Sequence, residues 1–151
     1  MRYFLDTEYN GFGGALLSLA LVPERGDDEF YVTLRCDDAP VAWVEQHVIP
    51  FLDHVPAGLV APRLSREAAA GAVAGYLSGD EDAEIIADWP DDIALLCMLL
   101  TTGPGRMVAV PPLTFKLLTG TGFSTAANSA VPHNALHDAR ALRSHALNHL
   151  E

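Results

Sequence analysis

Basic residues are scarce in this chain of 151 residues: nine Lys and Arg stand against 20 Asp and Glu, for a formal charge of −11 and a pI near 4.7. A broad electrostatic grip on duplex DNA or long RNA needs a basic surface, so the composition argues against such partners. A short oligonucleotide held by a metal and a few side chains stays compatible with it. Cysteine is scarce too. No Cys-x-x-Cys or Cys/His cluster occurs, which removes the usual sign of a zinc site. Cys36 and Cys97 read as two free, buried thiols in a reducing compartment. Long hydrophobic runs are missing: Ile93 to Leu100 is the longest, far short of the roughly 18 residues of a membrane span. The N-terminus runs into a strand without a signal-peptide pattern, which predicts a cytoplasmic protein.

What is present is a globular composition, half hydrophobic and 19% charged, in a length that suits one domain over residues 1–151. Arg2–Asp6, Ala15–Val22 and Phe30–Arg35 read as three strands joined by short turns, an antiparallel meander. Helical spacing follows over Pro40–Leu52 and Ser65–Leu77, with Ser65 as N-cap. Glu84–Asp88 reads as a strand, Asp91–Leu100 as a helix, Met107–Val110 as a strand and Pro112–Leu118 as a short helix. Thr119–Pro132, rich in Gly, Ser, Thr and Asn, reads as a loop before a final helix, Asn134–Leu150. The late strands alternate with helices and should run parallel through right-handed crossovers. The order predicts an α/β fold: one mixed sheet of about five strands, three antiparallel and then two parallel, flanked by helices. Trp43 and Trp89 are expected in the core, Trp89 being also a candidate for a pocket rim.

Acids occur where apolar residues belong. In "RYFLDTEYNGFGG" an apolar strand ends in Asp6 and Glu8. Residues two apart on a strand share a face at roughly 6–7 Å, so these carboxylates repel unless water or a cation lies between them. In "EIIADWPDDIALL" Asp88, Asp91 and Asp92 crowd the C-terminal end of a strand and the start of a helix, where open α/β sheets place their sites. Capping explains one such acid but not three. In "PHNALHDARAL" Asp138 borders the stripe Ala135, Ala139, Leu142 and Ala146, and a carboxylate beside a buried stripe is costly without a partner. Together, Asp6, Glu8, one acid of the Asp88–Asp92 group and Asp138 would form an oxygen-only ligand set suited to Mg²⁺ or Mn²⁺. Four such groups can hold two ions about 3.5–4 Å apart, an arrangement that cleaves phosphodiesters. His133, just before the last helix, is a fitting base for water there.

These three motifs, in this order, resemble those of the DEDDh 3′–5′ exonucleases, which have the ribonuclease H-like fold. "FLDTEYNG" is similar to their Asp-x-Glu motif, and "ADWPDDIALL" to their second, with Leu95 and Leu96 three and four residues after Asp92. "HNALHDARAL" is similar to their His-x4-Asp motif. The resemblance spans residues 1 to about 145 and is nearest to ribonuclease T-like exoribonucleases. It implies Asp6, Glu8, Asp92 and Asp138 as ligands of two Mg²⁺ or Mn²⁺ ions and His133 as general base. The implied activity is hydrolysis of single-stranded RNA or short oligonucleotides from the 3′ end to nucleoside 5′-monophosphates. It also implies contacts to the last nucleotide from Tyr9, Asn10, Gly11 and Phe12, and a homodimer. Many members carry Asn where this chain has Asp88. That residue could be an acid behind the ligands, a contact to the nucleotide, or a ligand in place of Asp92, while Asp91 reads as a helix-start acid. Few cations (Arg63, Arg66, Arg106, Lys116, Arg140 and Arg143 are the candidates) imply a small footprint on RNA. A 3′–5′ DNA exonuclease, and a catalytically weak nucleic-acid-binding or scaffold domain of the same fold, are the rival readings.

Overall fold

Strand β1 (Arg2–Tyr9) is the centre of the protein in the computed structural model, which describes residues 1–149. It pairs antiparallel with β2 (Leu16–Pro23) on one side and parallel with β4 (Ala83–Ala87) on the other. Strand β3 (Phe30–Thr33) lies outside β2, and β7 (Leu113–Leu117) runs parallel to β4 at the other edge. The sheet order is β3-β2-β1-β4-β7. The fold is therefore α/β with a five-stranded mixed sheet, an antiparallel block of three strands followed by parallel pairs.

Alternation along β1 assigns its side chains to two faces. Tyr3 and Leu5 point toward α2 (Arg66–Leu77) and α3 (Pro90–Leu100), packing with Ala70, Val73, Leu77, Ile85, Leu96 and Leu99. Phe4 points the other way and meets Ile86, Leu142 and Ala146, the last two on α5 (Ala135–His149). Ala135, Leu136 and Ala139 of α5 cover Ala20 and Val22 on the same face. Ser65 caps α2 as its position predicts, accepting from the Ala68 N–H at 3.1 Å. The stripe expected on the last helix is buried together with Asp138. Leu150, where the sequence pattern ends that helix, lies outside the described residues. Among the described residues no helix is long and apolar enough to cross a membrane.

Several elements differ from the sequence pattern. The last strand of the sheet is Leu113–Leu117 and not Met107–Val110. Pro112 looks like a helix start, but Leu113-Thr114-Phe115-Lys116-Leu117 finds its hydrogen bonds beside β4. Arg106–Met107 instead forms β6, which pairs with β5 (Thr101–Gly103) in a small separate hairpin. The helix over Pro40–Leu52 shortens to α1 (Ala42–His47) and a 3-10 turn at Ile49–Phe51, because Pro50 has no N–H with which to continue an α-helix. The loop before α5 contains one helical turn, α4 (Thr125–Asn128), capped by Ser124. Cys36 and Cys97 are free, but Cys36 is only half-buried and Cys97 is exposed. Trp43 and Trp89 are not core residues: both stand more than half exposed.

Candidate metal centre

The site forms where β1 and β4 end, and each of its acids arrives by a different route. Asp6 and Glu8 share the α5 face of β1, as the two-residue period requires, and the pairing with β2 slips between Glu8 and Tyr9 just beyond them. Thr7 points to the opposite face, where α3 begins. There its N–H and its hydroxyl both donate to Asp92 Oδ1, at 3.1 and 2.6 Å. Asp92 thus reaches the site from one side of the sheet. Asp138, on the first turn of α5, reaches it from the other and accepts from the His133 N–H at 3.1 Å. Asp88 follows the last residue of β4 and accepts from the Thr125 hydroxyl on α4 at 2.6 Å.

His133 is held in the left-handed region, with φ of 63°. Non-glycine residues enter this region at a cost when the surroundings over-determine them. The N–H bond to Asp138 is one such constraint. Another is Trp43 on α1, whose ring stands edge to face with the His133 imidazole at 4.8 Å and stacks on His47 at 4.7 Å. The turn after β1 depends on glycine in a similar way: a Cβ on Gly14 would lie 1.9 Å from the Asn10 carbonyl oxygen.

Two groups of ligand-type atoms result. Oxygens of Asp6, Asp88 and Asp92 lie within 4.8 Å of one another, and so do the ligand atoms of Glu8, His133 and Asp138. Both groups open into one cleft of about 500 Å³. Asp6, Glu8, Asp92 and Asp138 are all buried, and Asp6 Oδ2 has no hydrogen-bond partner. A buried carboxylate oxygen without a donor is costly, and none of the nine Lys and Arg lines the cleft. Carboxylates and one imidazole in this arrangement could hold a hard divalent ion.

The metal-free electrostatics carry the same strain. Burial, followed by repulsion from Asp92, Glu8, Asp138 and Asp88, holds the Asp6 carboxyl well above the usual carboxylate range. Burial and the neighbouring Asp138 and Asp92 push Glu8 up to about 8. Burial raises Asp92 to about 7 even though the Thr7 bonds pull it down. Asp138 is raised by burial and pulled partly back by the Ser129 hydroxyl and then the His133 N–H.

Of the residues singled out in the sequence, Asp6, Glu8, Tyr9, Gly11, Phe12, Asp88, Asp92, His133 and Asp138 line this cleft. Asn10 does not. Its side chain accepts from the Val41 N–H at 2.8 Å and donates to the Ala39 carbonyl at 3.0 Å, tying the first turn to the segment that leads into α1. Asp91 accepts from the Tyr9 hydroxyl and the Trp89 indole N–H, at 3.0 and 3.2 Å. Phe12 is fully exposed at the rim, with Trp43 and Trp89 also around the opening. Sequence reasoning missed Thr7, Thr125 and Trp43. Thr7 had a signal, since it lies between the two acids and must point away from them. Thr125 had none within its Ser/Thr-rich segment. No protein-family model matches the chain, and no curated protein matches it in sequence.

Proposed function

We propose that this protein is a divalent-metal-dependent 3′–5′ exoribonuclease of the DEDDh type, with a ribonuclease H-like fold, acting on single-stranded RNA or short oligonucleotides in the cytoplasm. One observation carries the reading: Asp6, Asp88 and Asp92 converge beside Glu8, His133 and Asp138 in a single cleft. The order of the three sequence motifs supports it. Asp6, Glu8, Asp92 and Asp138 would hold two Mg²⁺ or Mn²⁺ ions. When bound, such ions lower the pKa of a water and neutralise charge on a phosphodiester and its leaving oxygen.

The side chains supply the rest. His133 takes the proton from the attacking water, and its ring is fixed for this by Trp43 and by the backbone bond to Asp138. The water oxygen bonds to phosphorus as the bond to the 3′-oxygen breaks, and a nucleoside 5′-monophosphate leaves. Phe12 and Trp89 offer faces on which a terminal base stacks whatever its identity. Asp91 holds Tyr9 and Trp89 at that rim. The absence of Lys and Arg from the cleft favours a substrate of few nucleotides. A homodimer belongs to the same reading.

The test is a time course on 5′-labelled single-stranded RNA with Mn²⁺ or Mg²⁺, beside Asp6→Ala and His133→Ala proteins. The expected result is a ladder shortening from the 3′ end that EDTA and either substitution abolish. Parallel lanes of DNA and duplex set the substrate class. Intact strands in every lane, with folded protein and excess metal, would retire the nuclease reading in favour of a binding domain.

A further inference from the structure

We infer that Asp88 is itself a metal ligand, completing a three-carboxylate site with Asp6 and Asp92, and that Thr125 sets its orientation. The inference rests on the metal-dependent reading above and adds a fifth carboxylate to the four that the sequence motifs imply.

Three roles were open to Asp88, and the structure separates them. An acid behind the ligands would hydrogen-bond to a ligand side chain, but the hydrogen bond that Asp88 makes comes from the Thr125 hydroxyl, 37 residues away. A direct contact to the nucleotide would use a hydroxyl or amino donor of the sugar or base, and it does not require Asp88 to lie among other carboxylates. A ligand role needs a carboxylate oxygen close to those of the other ligands. Asp88 meets that requirement, within 4.8 Å of Asp6 and Asp92. The independent observation is Asp6 Oδ2, on a side chain more than nine-tenths buried, which has no hydrogen-bond partner and belongs to this same group. Asp92 has one oxygen committed to Thr7 and Asp88 has one committed to Thr125. Each hydroxyl fixes the rotation of its carboxylate, as outer partners of metal ligands do. An all-oxygen, triply acidic group suits a hard ion and should fill before the group that includes His133.

The experiment is calorimetric titration of the metal-free protein with Mn²⁺ alone, paired with thermal melts. Asp88→Asn and Thr125→Val are compared with Asp91→Asn, which removes the same charge from the same cleft but from outside the ligand group. The expected result is at least a tenfold weaker first Mn²⁺ site for Asp88→Asn, an intermediate loss for Thr125→Val, and a change under threefold for Asp91→Asn. Metal-free Asp88→Asn should melt higher than wild type, because a repulsion is gone, yet gain less from Mn²⁺. Equal weakening by Asp88→Asn and Asp91→Asn would overturn the ligand assignment, leaving Asp88 as charge alone. Tight, Asp88-dependent Mn²⁺ binding without any cleavage would retire the nuclease reading and keep the ligand assignment. No Mn²⁺ binding by the wild type would overturn both.

Discussion

At the scale of single residues, the site consists of acids held where acids are unstable. Glu8 and Asp92 titrate near 8 and 7 in the folded chain, against ordinary values of 4.5 and 3.8. A raised pKa means that the folded state binds more protons than the unfolded one. The contribution of these two acids to the stability of the metal-free protein should therefore be lost as pH rises from about 4 through about 8. Mn²⁺ binds the deprotonated carboxylates and should reverse that slope. Melting temperatures between pH 5 and pH 8, with EDTA and with Mn²⁺, test this; two curves that stay parallel would count against a metal at these acids. Asp6, Glu8 and Asp138 were legible in the sequence because strand and helix periods are local rules. The bonds from Thr7 to Asp92 and from Thr125 to Asp88 join residues 85 and 37 positions apart, which no local rule reaches. The left-handed backbone of His133 was equally invisible, since its causes are Trp43 and Asp138.

At the scale of elements, the entry to α5 governs both His133 and Asp138. Asn134 is fully buried; its side-chain Oδ1 accepts from the Leu136 N–H at 3.1 Å and its Nδ2 donates to the Phe51 carbonyl at 2.8 Å. Asn134→Ala removes this cap and one of the two donors to the Phe51 carbonyl, which the His54 N–H also meets, at a cost of about 0.5–2 kcal/mol. Urea unfolding measures it, with a falling midpoint at unchanged slope as the expected result. Metal affinity should fall as well, because the same residue fixes the turn between two members of one ligand group. The stripe on α5 and the Ser65 cap on α2 were readable because both are patterns within one element. Strand β7 was not: Pro112 and a mixed apolar segment fit a helix start as well as a strand, and the open edge of β4 decided between them.

At the scale of the whole molecule, charge limits what the cleft can hold. Arg2, Arg63 and Arg140 are engaged with Glu24, Asp53 and Glu29, and Arg143 with the Pro23 and Glu24 carbonyls. Binding of single-stranded RNA should thus depend weakly on salt. Each phosphate neutralised by a side chain adds about −0.7 to the slope of log affinity against log salt, and a slope shallower than about −1 is expected. Fluorescence anisotropy with Asp6→Ala protein, in which the proposed cleavage should be abolished, measures it, and a slope of about −3 or steeper would reveal a basic track outside the cleft. The five-stranded sheet was legible from the alternation of strands and helices; the distribution of its cations was not, because ion pairs form between elements. The outer strand, β7, has a further consequence. One of its faces exposes Phe115 and Leu117, and Lys116, the one lysine in the chain, points to the other. An open, apolar sheet edge invites another chain to add on, and an edge lysine is the usual guard against it. In a chain with acid in such excess, this single ammonium group is the positive charge that the edge strand carries against such addition.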